Sequence, residues 1–209
     1  GCYHGAVDDT LVNLDGAQTV ARPSTLGQVH NHAAFTRVIP FNDLPALRAT
    51  LADKDAQMRA AAVRISARDL APDLIALTAE KDALVLANLA IKLTSFNLPD
   101  ADTAVAKLLA SNGKNLLVRE GAMTGMRGRE AAFAKLMVGQ LTKDNSSQII
   151  PVMEALGSLL AQAGKAGPFE DMLELAAAQP QGGAMQMAVI KGLASNGGDP
   201  KSKTPSKLL

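Results

Sequence analysis

Asp55-Ala-Gln-Met-Arg-Ala-Ala-Ala-Val-Arg-Ile-Ser-Ala-Arg68 is the stretch whose reading decides the fold. Met58, Ala62 and Ile65 recur at i, i+4 and i+7, the spacing that puts apolar side chains on one face of an α-helix. Just upstream, Asp43 is placed to cap Leu44-Pro-Ala-Leu-Arg-Ala-Thr-Leu51. Pro45 falls in its first turn, and Leu44, Leu47 and Leu51 share a face. The short polar link Asp53-Lys-Asp55 joins these helices into a pair.

The pair recurs. Leu70 to Thr78 with Ala83 to Ser95 form a second, and Asp100 to Ala110 with Leu116 to Met126 a third. Glu130 to Leu141 with Ser147 to Ala163 make a fourth, and Phe169 to Ala178 with Gly183 to Ala194 a fifth. Aligning the second helices brings Ala62, Ala90, Ala122, Ala155 and Ala188 into line, at separations of 28, 32, 33 and 33 residues. A small residue at that point lets each second helix lie close to its neighbours. A two-helix unit is too small to bury its own apolar face, so stacking must supply the core, and at least about three units are needed.

Composition agrees. Hydrophobic residues make up 47% of the 209, which excludes disorder throughout, while aromatics are only 3%. The apolar content is therefore mostly Ala, Leu, Val, Ile and Met, a poor mixture for a β-sandwich and a good one for helices. The eight Met read as fillers of irregular core gaps. The net charge of +1 supplies no field to hold phosphates or acidic membranes. No run of 18 or more apolar residues predicts a membrane span.

Residues 1–41 lack the helical pattern and read as an irregular lead-in or a small hairpin. Thr10 to Leu14 and Gln18 to Ala21 flank Asp15-Gly16, a dipeptide suited to a tight turn, and Ala34 to Ile39 read as another extended piece. The helical region covers 42–198, and the Lys, Ser and Pro tail over 199–209 reads as a linker. A chain that starts with Gly1 and ends in Pro-Ser-Lys-Leu-Leu209 reads as a segment of a longer protein.

Met58-Arg59-x-x-Ala62 and Val118-Arg119-x-x-Ala122 resemble the second-helix signature of the HEAT-repeat family, preceded in the first case by the Asp-rich turn at Asp53 and Asp55. Leu86 to Ala90 and Ile150 to Ala155 keep the apolar positions without the Arg. The resemblance implies an all-α fold, a right-handed α-solenoid of about five HEAT-like helical hairpins. It further implies a noncatalytic scaffold or spacer that holds a protein partner or neighbouring domains of the same polypeptide. Leu44 to Ser195 is also similar to the repeat segment of planctomycete and verrucomicrobial dehydrogenase–cytochrome c proteins. That similarity implies a periplasmic or extracytoplasmic setting, with the chemistry outside these residues. The composition names no compartment, and the single Cys allows no Cys-x-x-Cys-His haem attachment here.

Few residues suggest chemistry. Cys2, His4, His30 and His32 are all the Cys and His of the chain. A thiolate with imidazoles is a possible zinc set, but the Cys-x-His and His-x-His spacings fit no common zinc signature, so no metal and no other cofactor is expected. No Gly-x-Ser-x-Gly elbow appears, and no enzyme is predicted. Arg59 and Arg119 read as ties between turns, through Asp side chains or loop carbonyls. The competing reading joins them with Arg64, Arg68, Lys92, Arg127, Arg129 and Lys191 into a ladder for nucleic acid. Near-neutral charge and the scarcity of stacking aromatics speak against it.

Overall fold

A computed structural model describes residues 11–23, 33, 36–164 and 166–195. The chain divides into two compact units, Gly1–Lys54 and Asp55–Leu209. The division thus falls after the first helix, whereas the helical pattern begins at residue 42.

In the first unit, strands β1 (Val12–Asp15) and β2 (Gln18–Ala21) pair antiparallel, Val12 opposite Ala21 and Asp15 opposite Gln18. Gly16 turns the chain at φ +58, a left-handed geometry that costs glycine little because it has no Cβ. Residues 36–40 form no strand. The Val38 N–H donates to the Thr19 hydroxyl at 3.1 Å, a side-chain bond that fastens this segment without extending the ladder. Helix α1 (Leu44–Leu51) has Pro45 in its first turn, and the Asp43 carboxylate accepts from the Ala46 N–H at 2.9 Å.

The second unit is helical throughout its regular elements. Its helices are α2 (Ala56–Ile65), α3 (Ala71–Ala76), α4 (Ala83–Phe96), α5 (Pro99–Asn112), α6 (Leu116–Met123), α7 (Glu130–Gly139), α8 (Ser146–Ala163), α9 (Ala166–Ala177) and α10 (Ala184–Ala194). The fold class is therefore all-α, with a small β-hairpin ahead of the helices. Short side chains start several of them: Asp55 accepts from the Gln57 N–H at 2.8 Å, Asp82 from Leu84 at 2.9 Å and Asn115 from Leu117 at 3.0 Å. Each such cap satisfies an amide that the helix itself leaves unpaired.

Packing follows alternation. Helices α3, α5 and α7 touch the helix after them, as do α4 and α9. Contacts also skip one helix: α2, α4, α6, α8 and α10 meet in succession, and so do α3, α5, α7 and α9. Between these two rows lie Leu70, Leu74, Leu89, Leu109, Phe133 and Leu156, all fully buried. Burying each is worth about 1.5–3 kcal/mol. Met126, Met153, Met172 and Met185 are buried as gap fillers, whereas Met187 is 54% exposed.

Glycine decides how near the second helices come. A Cβ on Gly121 of α6 would lie 2.9 Å from the Ala87 carbonyl oxygen of α4. One on Gly157 of α8 would lie 3.0 Å from the Val189 carbonyl and 3.1 Å from the Gly192 Cα of α10. One on Gly192 would fall on the Glu154 carbonyl oxygen. Gly113, in the turn before α6, likewise brings that turn against Gln148 and Val152 of α8, but no glycine within α6 itself faces α8. Gly139 of α7, by contrast, has open space where its Cβ would be.

The same substitution should therefore have opposite consequences at two helical glycines. Gly192→Ala is expected to lower stability by about 1–3 kcal/mol, because α10 must move off α8. Gly139→Ala should be neutral or raise stability by up to about 1 kcal/mol. Urea midpoints at unchanged slope measure both, and equal effects would contradict the close packing.

Candidate functional site

The second unit has an open cleft between α6 and α8, with a volume of about 460 Å³. Its origin is in the packing. The first turn of α8 is pinned to the turn before α6, where the Lys114 N–H donates to the Gln148 side-chain oxygen at 2.9 Å. Further along, α8 is drawn against α10 through Gly157 and Gly192. Helix α6 has only eight residues and is drawn to α4 through Gly121, so the two helices part. Arg119, Glu120 and Met123 line one wall. Pro151, Glu154, Ala155, Ser158, Leu159 and Gln162 line the other.

The charges of the cleft are lightly held. Arg119 donates from Nη1 to the Gly113 carbonyl at 3.1 Å, and its Nε stands 3.5 Å from the Glu120 carboxylate. Glu154 meets Lys191 of α10 at 2.8 Å, with the lysine 72% exposed. Exposed pairs of this kind contribute about 0–1 kcal/mol. Ser158 lies 2.8 Å from the Ser195 hydroxyl and donates to the Gly192 carbonyl at 3.4 Å. Neither group is a base that would activate Ser158 as a nucleophile. The lining mixes polar and apolar side chains.

The repeat positions read from the sequence are distributed as follows. Ala62, Ala90, Ala122 and Ala188 are 1%, 0%, 0% and 4% exposed. Ala155 differs: it is half-buried in the cleft wall, and the close contact of α8 lies at Gly157 instead. Helix α8 runs 18 residues and accommodates Pro151 in its second turn, and in α6 too the close contact is made by a glycine, Gly121, beside the counted alanine. Arg59 donates from Nε to Glu80 at 2.7 Å, in the turn before α4, and Arg119 reaches a loop carbonyl as described. Cys2, His4, His30 and His32 lie outside the described residues. Among those described, no three His, Cys, Asp or Glu gather to hold a metal, and no helix is long and apolar enough to cross a membrane.

Arg129 has a role that the sequence did not single out. Its guanidinium bonds the Asp102 carboxylate and donates to the carbonyls of Thr94 and Gly125, each at 2.8 Å. One side chain thereby ties the end of α4, the start of α5 and the turn after α6. Next to it Glu130 is 1% exposed and accepts the Gly128 N–H at 2.9 Å. The only advance signal was an Arg-Glu pair at a helix start, which is commonplace. Arg59, Arg119 and Arg129 are all engaged within the fold, which removes three rungs from a phosphate-binding ladder.

No family model matches the chain, and no solved structure matches it. Short stretches are similar to glutamate-1-semialdehyde 2,1-aminomutases. The protein of Thermodesulfovibrio yellowstonii is 42% identical over 52 residues, covering 24% of this chain and 12% of that protein. The protein of Anaeromyxobacter sp. (strain K) is 41% identical over 61 residues, covering 29% and 14% respectively.

The Arg59–Glu80 pair gives a pH signature. The bond from Arg59 holds the Glu80 carboxyl below its ordinary value of 4.5, against the opposing effect of burial. A carboxyl depressed in the folded state adds stability above its unfolded value, and that stability is lost as pH falls through the folded one. Glu80→Gln should therefore cost about 1–2 kcal/mol at pH 7 and flatten the loss of Tm below pH 4.5. Parallel Tm curves for the two proteins between neutral and acid pH would contradict this assignment.

Proposed function

We propose that this chain is a noncatalytic scaffold, a right-handed HEAT-like α-solenoid whose second-helix face holds a protein partner or neighbouring domains of its own polypeptide. The observation that carries the reading is the apolar surface on that row of helices. Leu84 and Ile91 of α4 are 41% and 44% exposed, Leu117 of α6 is 62% exposed, and Ile190 of α10 is 42% exposed. Leu84 and Ile91 are seven residues apart, on one face of α4, while Val85, Leu89 and Leu93 of the same helix are fully buried. Large apolar side chains left outside a satisfied core mark surfaces that partners cover.

The skipping contacts among second helices support the solenoid, since neighbours in each row meet in succession, most narrowly at α6 and α8. The internal bonds of Arg59 and Arg119 support a structural role for the signature Arg. In this reading the chain carries no cofactor, and an extracytoplasmic setting follows from the resemblance to the dehydrogenase–cytochrome c repeat segments. The matches to the aminomutases span too little of either protein to bring that activity here.

A photo-crosslinking amino acid at Leu117 tests the proposal against one at Lys135, which is exposed on α7. In cells, Leu117 should give a protein adduct of defined mass and Lys135 none. Replacing Leu84 by Asp, away from the contact at Gly121, should weaken the adduct while leaving the helical circular dichroism unchanged. Equal labelling at both sites, or none at either, would contradict the scaffold.

A further inference from the structure

We propose that Asn112-Gly113, where α5 ends and the turn before α6 begins, is a latent deamidation site, kept unreactive by the packing of this turn on α8 and released when the turn opens. Asn-Gly is the pair most open to this reaction, because glycine puts no side chain in the way of its own amide. The Gly113 amide nitrogen attacks the Asn112 Cγ. The new N–C bond closes a succinimide, the Cγ–Nδ2 bond breaks, and the Gly113 amide proton leaves with the side-chain nitrogen as ammonia. Water then opens the ring, at Cγ to give aspartate or at the main-chain carbonyl to give isoaspartate.

The fold opposes each part of this step. Asn112 is the last residue of α5 and Gly113 follows at φ −66, ψ −18, so the chain is helical where ring closure needs the Asn112 ψ to turn out of the helix. The Asn112 Nδ2 donates to the Leu108 carbonyl at 3.1 Å, and the Asn112 carbonyl accepts the Asn115 N–H at 2.9 Å. Gly113 is buried, and a Cβ there would fall on the Gln148 carbonyl oxygen and lie 2.6 Å from a Val152 methyl carbon. The Gly113 carbonyl accepts from Arg119 at 3.1 Å, and the next amide, that of Lys114, donates to the Gln148 side chain at 2.9 Å. These contacts must open before the ring can close, so the reaction rate follows the local opening of this turn.

The product makes the opening one-way. A carboxylate cannot donate to the Leu108 carbonyl as the amide does. Its charge stands at the C-terminus of α5, where the helix dipole disfavours an anion. Isoaspartate also adds a backbone carbon where Gly113 has no room even for a Cβ. The modified turn therefore leaves α8, and the tie at this end of the gap between α6 and α8 is lost.

The test incubates the full chain and a synthetic peptide of residues 108–117 in one mildly alkaline buffer and follows Asn112 by peptide mass mapping. The folded chain should react at least about tenfold more slowly than the peptide. Gln148→Ala removes the acceptor of the Lys114 amide, and Arg119→Ala removes the donor to the Gly113 carbonyl. Each should raise the folded rate at least about threefold with the helical circular dichroism unchanged, and either variant suffices if the other does not fold. In the isoaspartate form the Lys114 amide should exchange with solvent at least about tenfold faster. A folded chain that reacts as fast as the peptide would overturn the inference. So would folded variants that keep the parent rate, or a Lys114 amide whose exchange is unchanged by the reaction.

Discussion

The close approach of second helices through small residues is the constraint on which the rest of the second unit depends. Gly121 lets α6 reach the backbone of α4 at Ala87, and Gly157 with Gly192 lets α8 and α10 meet almost backbone to backbone. At such separations a single added methyl group meets a carbonyl oxygen, so the helices must shift or part. Dispersion between closely packed backbones offsets the scarcity of aromatic side chains, which are 3% of the residues. The first-helix row fills the other side of the core with Leu, Met and Phe133.

The cleft is the complement of that constraint. Helix α6 is committed to α4 and helix α8 to α10, each by glycine, and the one glycine approach to α8 from this side is made by Gly113 in the turn before α6, not by α6 itself. Polar ties hold the region on either side of the gap: Gln148 at the first turn of α8, and Arg129 where α4, α5 and the turn after α6 converge. The cleft thus lies where a short α6 stands opposite a long, Pro-containing α8. An interruption of this kind gives a repetitive scaffold a distinct surface without altering its core.

Much of the helical order was legible in the sequence. Asp43 was readable as a cap, and Asp55, Asp82 and Asn115 start helices for the same reason: a short side-chain oxygen reaches an unpaired amide, a local effect that needs no tertiary partner. Asp15-Gly16 located the hairpin for an equally local reason. The packing register was less legible. Counting alanines at intervals of about one repeat led to Ala122 and Ala155, whereas the closest approaches are made by the nearby glycines Gly121 and Gly157. Gly157 and Gly192 were hidden for a further reason: a glycine inside a helix reads as a weak point until its neighbour is known. Arg129 was hidden likewise, since its three acceptors, on Asp102, Thr94 and Gly125, come together only in three dimensions. The cleft had no sequence signal, being a gap between helices that are each ordinary.

The most direct measurement of the central claim is the nuclear Overhauser spectrum of the folded chain, read at its helical glycines. The account predicts strong cross-peaks between the Hα protons of Gly157 and Gly192, and between Gly121 Hα and the protons of Ala87 and Ile91. It predicts no comparable peaks between α6 and α8 at the level of the cleft. Absence of the Gly157–Gly192 peaks in a well-folded, fully assigned protein would contradict the close approach from which both the helical rows and the cleft are derived.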